Sequence, residues 1–163
     1  VLMKSVKGFT LIELMIALAV LALVTLIGFP AFSGVFERSR ADSDLSDLLR
    51  AFSLARLESI NQSSDVKIVA GTDDDWTQDL VVFLDDDNDG SVDNGERVIR
   101  RYAGLPQGAT ITATGDVDTI VFDSLGGLKT PANSVVFNYT RGDSTKSLVI
   151  CPTGRILTGA SCI

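Results

Sequence analysis

Twelve consecutive residues, Asp85-Asp86-Asp87-Asn88-Asp89-Gly90-Ser91-Val92-Asp93-Asn94-Gly95-Glu96, concentrate the side chains best able to hold a metal ion. Asp85, Asp87, Asp89, the Ser91 carbonyl, Asp93 and Glu96 fall on the ligand positions of a twelve-position calcium loop, with Gly90 at its sharp turn. Hard cations such as Ca2+ take several oxygens converging from a flexible loop, and carboxylates this crowded repel one another unless a cation screens them. The flanks favour another reading. Residues 80–84 and 97–102 look like strands where an EF-hand needs helices, and Asp, Asn and Gly are also what a solvated hairpin turn contains. Both readings, Ca2+ loop and plain turn, stand at this point.

Other chemistry is thinly represented. The chain has no histidine, which removes His-dependent triads, most catalytic zinc sites and the usual general base near neutral pH. Cys151 and Cys162 are the only cysteines and offer too few ligands for a metal site. Carboxylate pairs could be chosen from the many acids, yet nothing marks a sugar cleft. Asn61-Gln62-Ser63 and Asn138-Tyr139-Thr140 fit the glycosylation pattern by chance. Lys and Arg total 14 against 21 Asp and Glu, the wrong sign for affinity built on phosphate neutralisation. No enzyme is expected.

The second chemical feature is a single carboxylate in a greasy run. Residues 9–29 carry one charge, Glu13, and follow Lys4, Lys7 and Gly8. As a helix these 21 residues span about 31 Å, enough for a bilayer's hydrocarbon core. A carboxylate there is costly and marks a functional residue by default, the plainer alternative being that it snorkels to the headgroups. An ordinary secretory signal places its small-residue cleavage site after the apolar core. Here Gly8 precedes the core, so cutting there would leave the anchor on the mature protein.

The string Gly8-Phe9-Thr10-Leu11-Ile12-Glu13-Leu14 resembles the class III signal of type IV pilins and type II secretion pseudopilins. The resemblance implies cleavage between Gly8 and Phe9 by a prepilin peptidase/N-methyltransferase, and methylation of the Phe9 amine. It places Glu13 on the family's glutamate, which meets the N-terminal ammonium of a neighbouring subunit and sets axial register during assembly. Pro30 falls on the family's helix-kinking proline. Ala22 departs from the pattern, standing where many major pilins have a helix-loosening glycine. The implied partners are other major and minor (pseudo)pilins, the inner-membrane assembly platform and membrane lipid. Without the leader's Lys4 and Lys7, 12 basic against 21 acidic side chains give a formal −9. Basic residues before the span fit a cytoplasmic N-terminus with the rest in the periplasm. In that oxidising compartment Cys151 and Cys162, with ten residues between them, form a disulfide worth about 3 kcal/mol; two free thiols are the other reading.

The elements that must position these residues fall into two kinds. One long helix is expected over residues 9–61, anchor first and amphipathic second, with Leu45, Leu48, Leu49, Phe52, Ala55, Arg56 and Ser59 on one face. Asp42, Asp44, Asp47, Arg50 and Glu58 lie mostly off that face and read as solvated. Beyond residue 65 come short β-rich runs at 66–70, 80–84, 97–102, 109–113, 119–122, 135–139 and 147–151, separated by turn residues. Trp76 reads as core. The fold class is α+β: a helix packed on an antiparallel sheet or sandwich. The expected organisation is a leader at 1–8, a transmembrane half-helix at 9–30, an amphipathic half-helix at 31–62 and a β-rich domain at 63–163.

The second half also resembles the GspH/FimT family of minor pilins and H-type pseudopilins. The similarity lies in Leu54-Ala55-Arg56-Leu57-Glu58-Ser59, Trp76, Leu80-Val81-Val82-Phe83-Leu84-Asp85, and Gly95-Glu96-Arg97-Val98-Ile99-Arg100. It continues in Phe122-Asp123-Ser124-Leu125-Gly126 and Pro152-Thr153-Gly154-Arg155. What it implies is a structural subunit acting in assembly or initiation of a type IV pilus or type II secretion pseudopilus, located in the inner membrane and then at the filament tip. The alternative it offers is a DNA-binding minor pilin for natural transformation. That branch resembles itself in a Gly-Arg-x-Arg patch, and Gly154-Arg155-Ile156-Leu157 lacks the second arginine. Arg100 and Arg101 read as an exposed strand edge rather than a phosphate site.

Overall fold

The computed structural model describes residues 8–71, 75–87, 92–93, 95–159 and 161–162 and, for residues 27–33, the backbone alone. The chain divides into two units, Val1–Phe36 and Glu37–Ile163. Helix α1, Leu11–Gln62, begins in the first and ends in the second. Nine strands follow: β1 Val66–Ala70, β2 Leu80–Leu84, β3 Arg97–Tyr102, β4 Ala109–Ala113, β5 Thr119–Phe122, β6 Leu128–Thr130, β7 Val135–Arg141, β8 Ser144–Ile150 and β9 Ile156–Thr158.

In the first unit, Leu, Ile, Met and Ala supply strong or adequate helix propensity, and every described apolar side chain is exposed. Exposure runs from 78% at Leu11 to 74% at Leu26 without a buried face between them. A helix apolar all round is made for a surrounding other than water. No described helix is long and apolar enough to cross a membrane; the side chains of α1 are described only for residues 11–26 before the interval 27–33. The side chain of Pro30, the expected kink, lies in that interval.

In the second unit, α1 has an inward face at Ala41, Leu45, Leu48, Ala51, Phe52 and Ala55, all buried, at the three- and four-residue spacing of one helical stripe. It ends at Ser63, whose φ of 53° is left-handed. Ser63 N–H bonds the Ile60 carbonyl and Ser64 N–H the Ser59 carbonyl, a Schellman-type end in which serine takes the place usually given to glycine.

The strands form two antiparallel sheets, ordered β3-β2-β1-β5-β6 and β4-β7-β8-β9. One core joins both sheets to the helix: Ile68, Val82, Ile120 and Phe122 from the first, Phe137, Tyr139, Leu148 and Ile150 from the second. At its centre the Phe52, Trp76 and Phe137 rings meet with centroids 5.0–5.8 Å apart, and Trp76 Nε1–H donates to the Val117 carbonyl. The expected α+β architecture is therefore the observed one.

Three details differ from the sequence expectation. β7 and β8 extend to Arg141 and back to Ser144, because main-chain pairing continues through Thr140↔Thr145 and Arg141↔Ser144 where the side chains turn polar. β6 and β9 are three residues each, too short to show alternation, and exist because β5 and β8 offer them an edge. Asp44 is not on a solvated face. It is buried, accepting from the Tyr139 hydroxyl at 2.5 Å and from Arg141 Nη1 at 3.2 Å. Arg141 also donates to Glu37 and to the Gln107 carbonyl, so the start of the unit's helix is tied to β7 through a buried polar network.

Candidate assembly and ion sites

The N-terminal site is built by the first turn of α1. Thr10 sits just outside the helix; its N–H and hydroxyl both donate to Glu13 Oε2, at 2.9 and 3.1 Å. Glu13 N–H returns a bond to Thr10 Oγ1 at 3.3 Å. This is a capping box, reciprocal satisfaction of two amide donors that the helix end leaves open. The sequence signal for it was the Thr-x-x-Glu spacing. Glu13 thus has a local partner within its own chain. Only one of its oxygens is engaged; Oε1 has no hydrogen bond among the described residues. Phe9, 90% exposed, and Gly8 precede the helix.

The acidic turn connects β2 to β3, as strand flanks required. Its described members come together: one carboxylate oxygen from each of Asp85, Asp87 and Glu96 lies within 4.8 Å of the others. Glu96 closes the loop by accepting from Asp86 N–H at 3.2 Å and Asp93 N–H at 3.0 Å. Asp89 and Ser91 lie outside the described residues, and the carboxylate of Asp93 is not part of the three-residue group. Asp85 is held by an ion pair that spacing could not reveal. Its side chain is almost fully buried and bonds the ammonium of Lys67, itself buried on β1. A buried ammonium is one way to neutralise the first carboxylate of such a loop.

Three stretches singled out in the sequence meet at Arg56. Its Nε donates to the Gly126 carbonyl at 2.9 Å and its Nη2 to the Thr153 carbonyl at 3.4 Å, so one guanidinium links α1, the β5–β6 turn and the β8–β9 turn. The first residue of β6 also meets the second turn directly, Leu128 N–H donating to the Pro152 carbonyl at 2.9 Å. Asp123 shapes the first by accepting from Leu125 and Gly127 N–H, and the second closes through Gly154 N–H to the Cys151 carbonyl. Gly154 has φ +74°, and a Cβ on it would stand 1.8 Å from the Gly126 oxygen. Cys151 and Cys162 are disulfide-bonded, which fixes the chain after this clasp.

Comparison with known proteins bears on the two halves separately. Residues 44–154 match the family model for the type II transport protein GspH, and residues 3–29 match the prokaryotic N-terminal methylation motif. The fold is similar to that of the type IV minor pilin FimU of Pseudomonas aeruginosa. The likeness has a TM-score of 0.63 at 23% identity over 80% of this chain and 93% of that one. It is also similar to the minor pseudopilin EpsH from the type 2 secretion system of Vibrio cholerae, with TM-score 0.51 at 13% identity, covering 76% of this chain and 96% of that one. The fold and family are those of minor pilins and pseudopilins, structural subunits of a type IV pilus or a type II secretion pseudopilus. The motif and family together imply processing by a prepilin peptidase, membrane anchoring and assembly with other pilins. With its model matched over residues 44–154 of 163, the chain belongs to the GspH family.

Proposed function

We propose that the chain is made as a precursor, cut between Gly8 and Phe9 and methylated on Phe9. Residues 9–30 then hold it in the inner membrane with the β-rich domain in the periplasm, until it enters the tip of the filament as a minor subunit. The observation that carries this reading is the pairing of an all-round exposed apolar helix with one carboxylate at its start. In a low-dielectric surrounding that carboxylate needs a partner charge, and the freshly exposed Phe9 ammonium of a neighbouring subunit supplies one. The capping box supports the role: Thr10 fixes Oε2 and leaves Oε1 for the incoming amine. Glu13→Gln keeps an oxygen acceptor for Thr10 and removes the charge. It should insert in the membrane at wild-type level and lose incorporation into filaments; incorporation at wild-type level would refute the role.

The converging carboxylates favour a second, compatible role for the acidic turn as a Ca2+ loop. Asp85, Asp87 and Glu96 would hold the ion, and Lys67 would compete with it for Asp85. Protection of the loop from proteolysis at millimolar calcium supports the site; identical digestion with chelator dismisses it.

A further inference from the structure

β3 is the outer strand of its sheet, paired with β2 on one side only. Outside that ladder, none of its backbone groups bonds another backbone group among the described residues. Such an edge is a template for another extended chain. Its side chains set it apart from the rest of this protein. Of the twelve described Lys and Arg residues, six form ion pairs: Arg40, Arg50, Lys67, Lys129, Arg141 and Lys146. Three of the other six, Arg97, Arg100 and Arg101, stand in this one strand, in a chain with 21 acidic side chains. All three are exposed. Arg100 is pre-positioned 5.2 Å from the centroid of the Tyr102 ring. The Arg101 side chain has no hydrogen bond or ion pair among the described residues, and the Arg97 side chain reaches only Gln62 Oε1, at 3.4 Å.

Beside the strand, an open groove of about 700 Å³ lies between α1 and the 100–106 segment, with Leu54, Leu57 and Leu105 in its lining. Leu57 is 53% exposed there. The groove's two carboxylates are already committed, Asp47 to Arg50 and Asp44 to Tyr139 and Arg141. The uncompensated charge of this face is therefore positive, on a protein that is negative as a whole.

We propose that β3 is a docking edge for an extended acidic segment of a partner protein. The segment adds a strand beside Arg97–Tyr102. Because successive strand side chains point to opposite faces, its carboxylates lie on the face of Arg101 and its apolar side chains on the α1 face, beside Arg100 and over Leu54 and Leu57. Main-chain pairing supplies affinity and the alternate side chains supply selectivity. A nucleic acid fits less well: it has no peptide ladder to offer, and Asp93 and Glu96 stand immediately before the strand, where phosphates would be repelled. The same two acids set polarity, placing the segment's carboxylates at the Arg100–Tyr102 end. The inference does not depend on entry into a filament.

The test uses the full chain in detergent and a fluorescent peptide alternating valine with glutamate, beside its valine–lysine counterpart and a single-stranded oligonucleotide. The glutamate peptide should bind, be outcompeted by neither of the others, and slow amide exchange at residues 97–102. R100E/R101E, at exposed positions that leave the core untouched, should weaken that peptide roughly tenfold or more and gain affinity for the lysine peptide. Absence of protection at residues 97–102, equal binding of both peptides, or displacement by the oligonucleotide would each overturn the proposal.

Discussion

Gly154→Ala tests whether the Arg56 clasp holds the two turns against the helix. The new Cβ would stand 1.8 Å from the Gly126 oxygen and 2.8 Å from Arg56 Nε, and the residue would keep a φ of +74°. The left-handed backbone alone costs an alanine about 1–2 kcal/mol. Relieving the clash must push Gly126 away, and its oxygen is the acceptor of the 2.9 Å bond from Arg56. A hydrogen bond to a charged donor contributes about 1.5–3 kcal/mol. The two effects together predict a loss of roughly 3–5 kcal/mol, lowering the melting temperature of a domain this size by on the order of 10–20 °C. Trp76, the only tryptophan and buried against Phe52 and Phe137, reports core loss by fluorescence during denaturant unfolding. The same substitution in an Arg56→Ala background should cost less, because the bond it breaks is already gone, with a coupling of about 1.5 kcal/mol or more. A loss under about 1 kcal/mol, or strict additivity with Arg56→Ala, would refute the reasoning.

Two further outcomes follow from the buried network and the C-terminal bridge. Burial first, and then the hydrogen bond to Asp44, push the Tyr139 phenol up to about 12 from its ordinary 10. A group whose folded pKa lies above its unfolded value contributes stability present below pH 10 and lost as pH rises towards 12. The contribution is on the order of 2 kcal/mol. Urea midpoints measured from pH 9 upward should show that fall in the parent and lack it in Tyr139→Phe; parallel curves would contradict the assignment. Cys151→Ser opens a loop of eleven-residue separation and should cost about 3 kcal/mol in denaturant unfolding, with an unchanged midpoint counting against a stabilising bridge.

Much of this molecule was legible because its signals are local. The 9–61 helix stands out by the length of its apolar run and by the stripe from Leu45 to Ala55, and five of the nine strands carry enough β-branched and aromatic residues to show their full bounds. Glu13 is conspicuous as the only charge in 21 residues, while its bond to Thr10 is signalled by nothing but the three-residue spacing between them. What could not be read is non-local. Asp44 looked like its neighbours Asp42 and Asp47, and only the placement of Tyr139 and Arg141 about a hundred residues later makes it a buried acceptor. Lys67 shows no sign in sequence that it will neutralise Asp85, since β1 and β2 bring them together by pairing. The stretches around Arg56, Gly126 and Gly154 were each noticeable alone, and their convergence is a property of the folded chain.

The most direct measurement is the N-terminus and intact mass of the protein isolated from its native membrane. A chain that begins at Phe9, with one methyl group on that amine and the first eight residues gone, is the predicted result. A chain that keeps those residues, or begins at any other position, would contradict the proposed maturation and with it the use of Glu13 as the partner of a neighbour's amine.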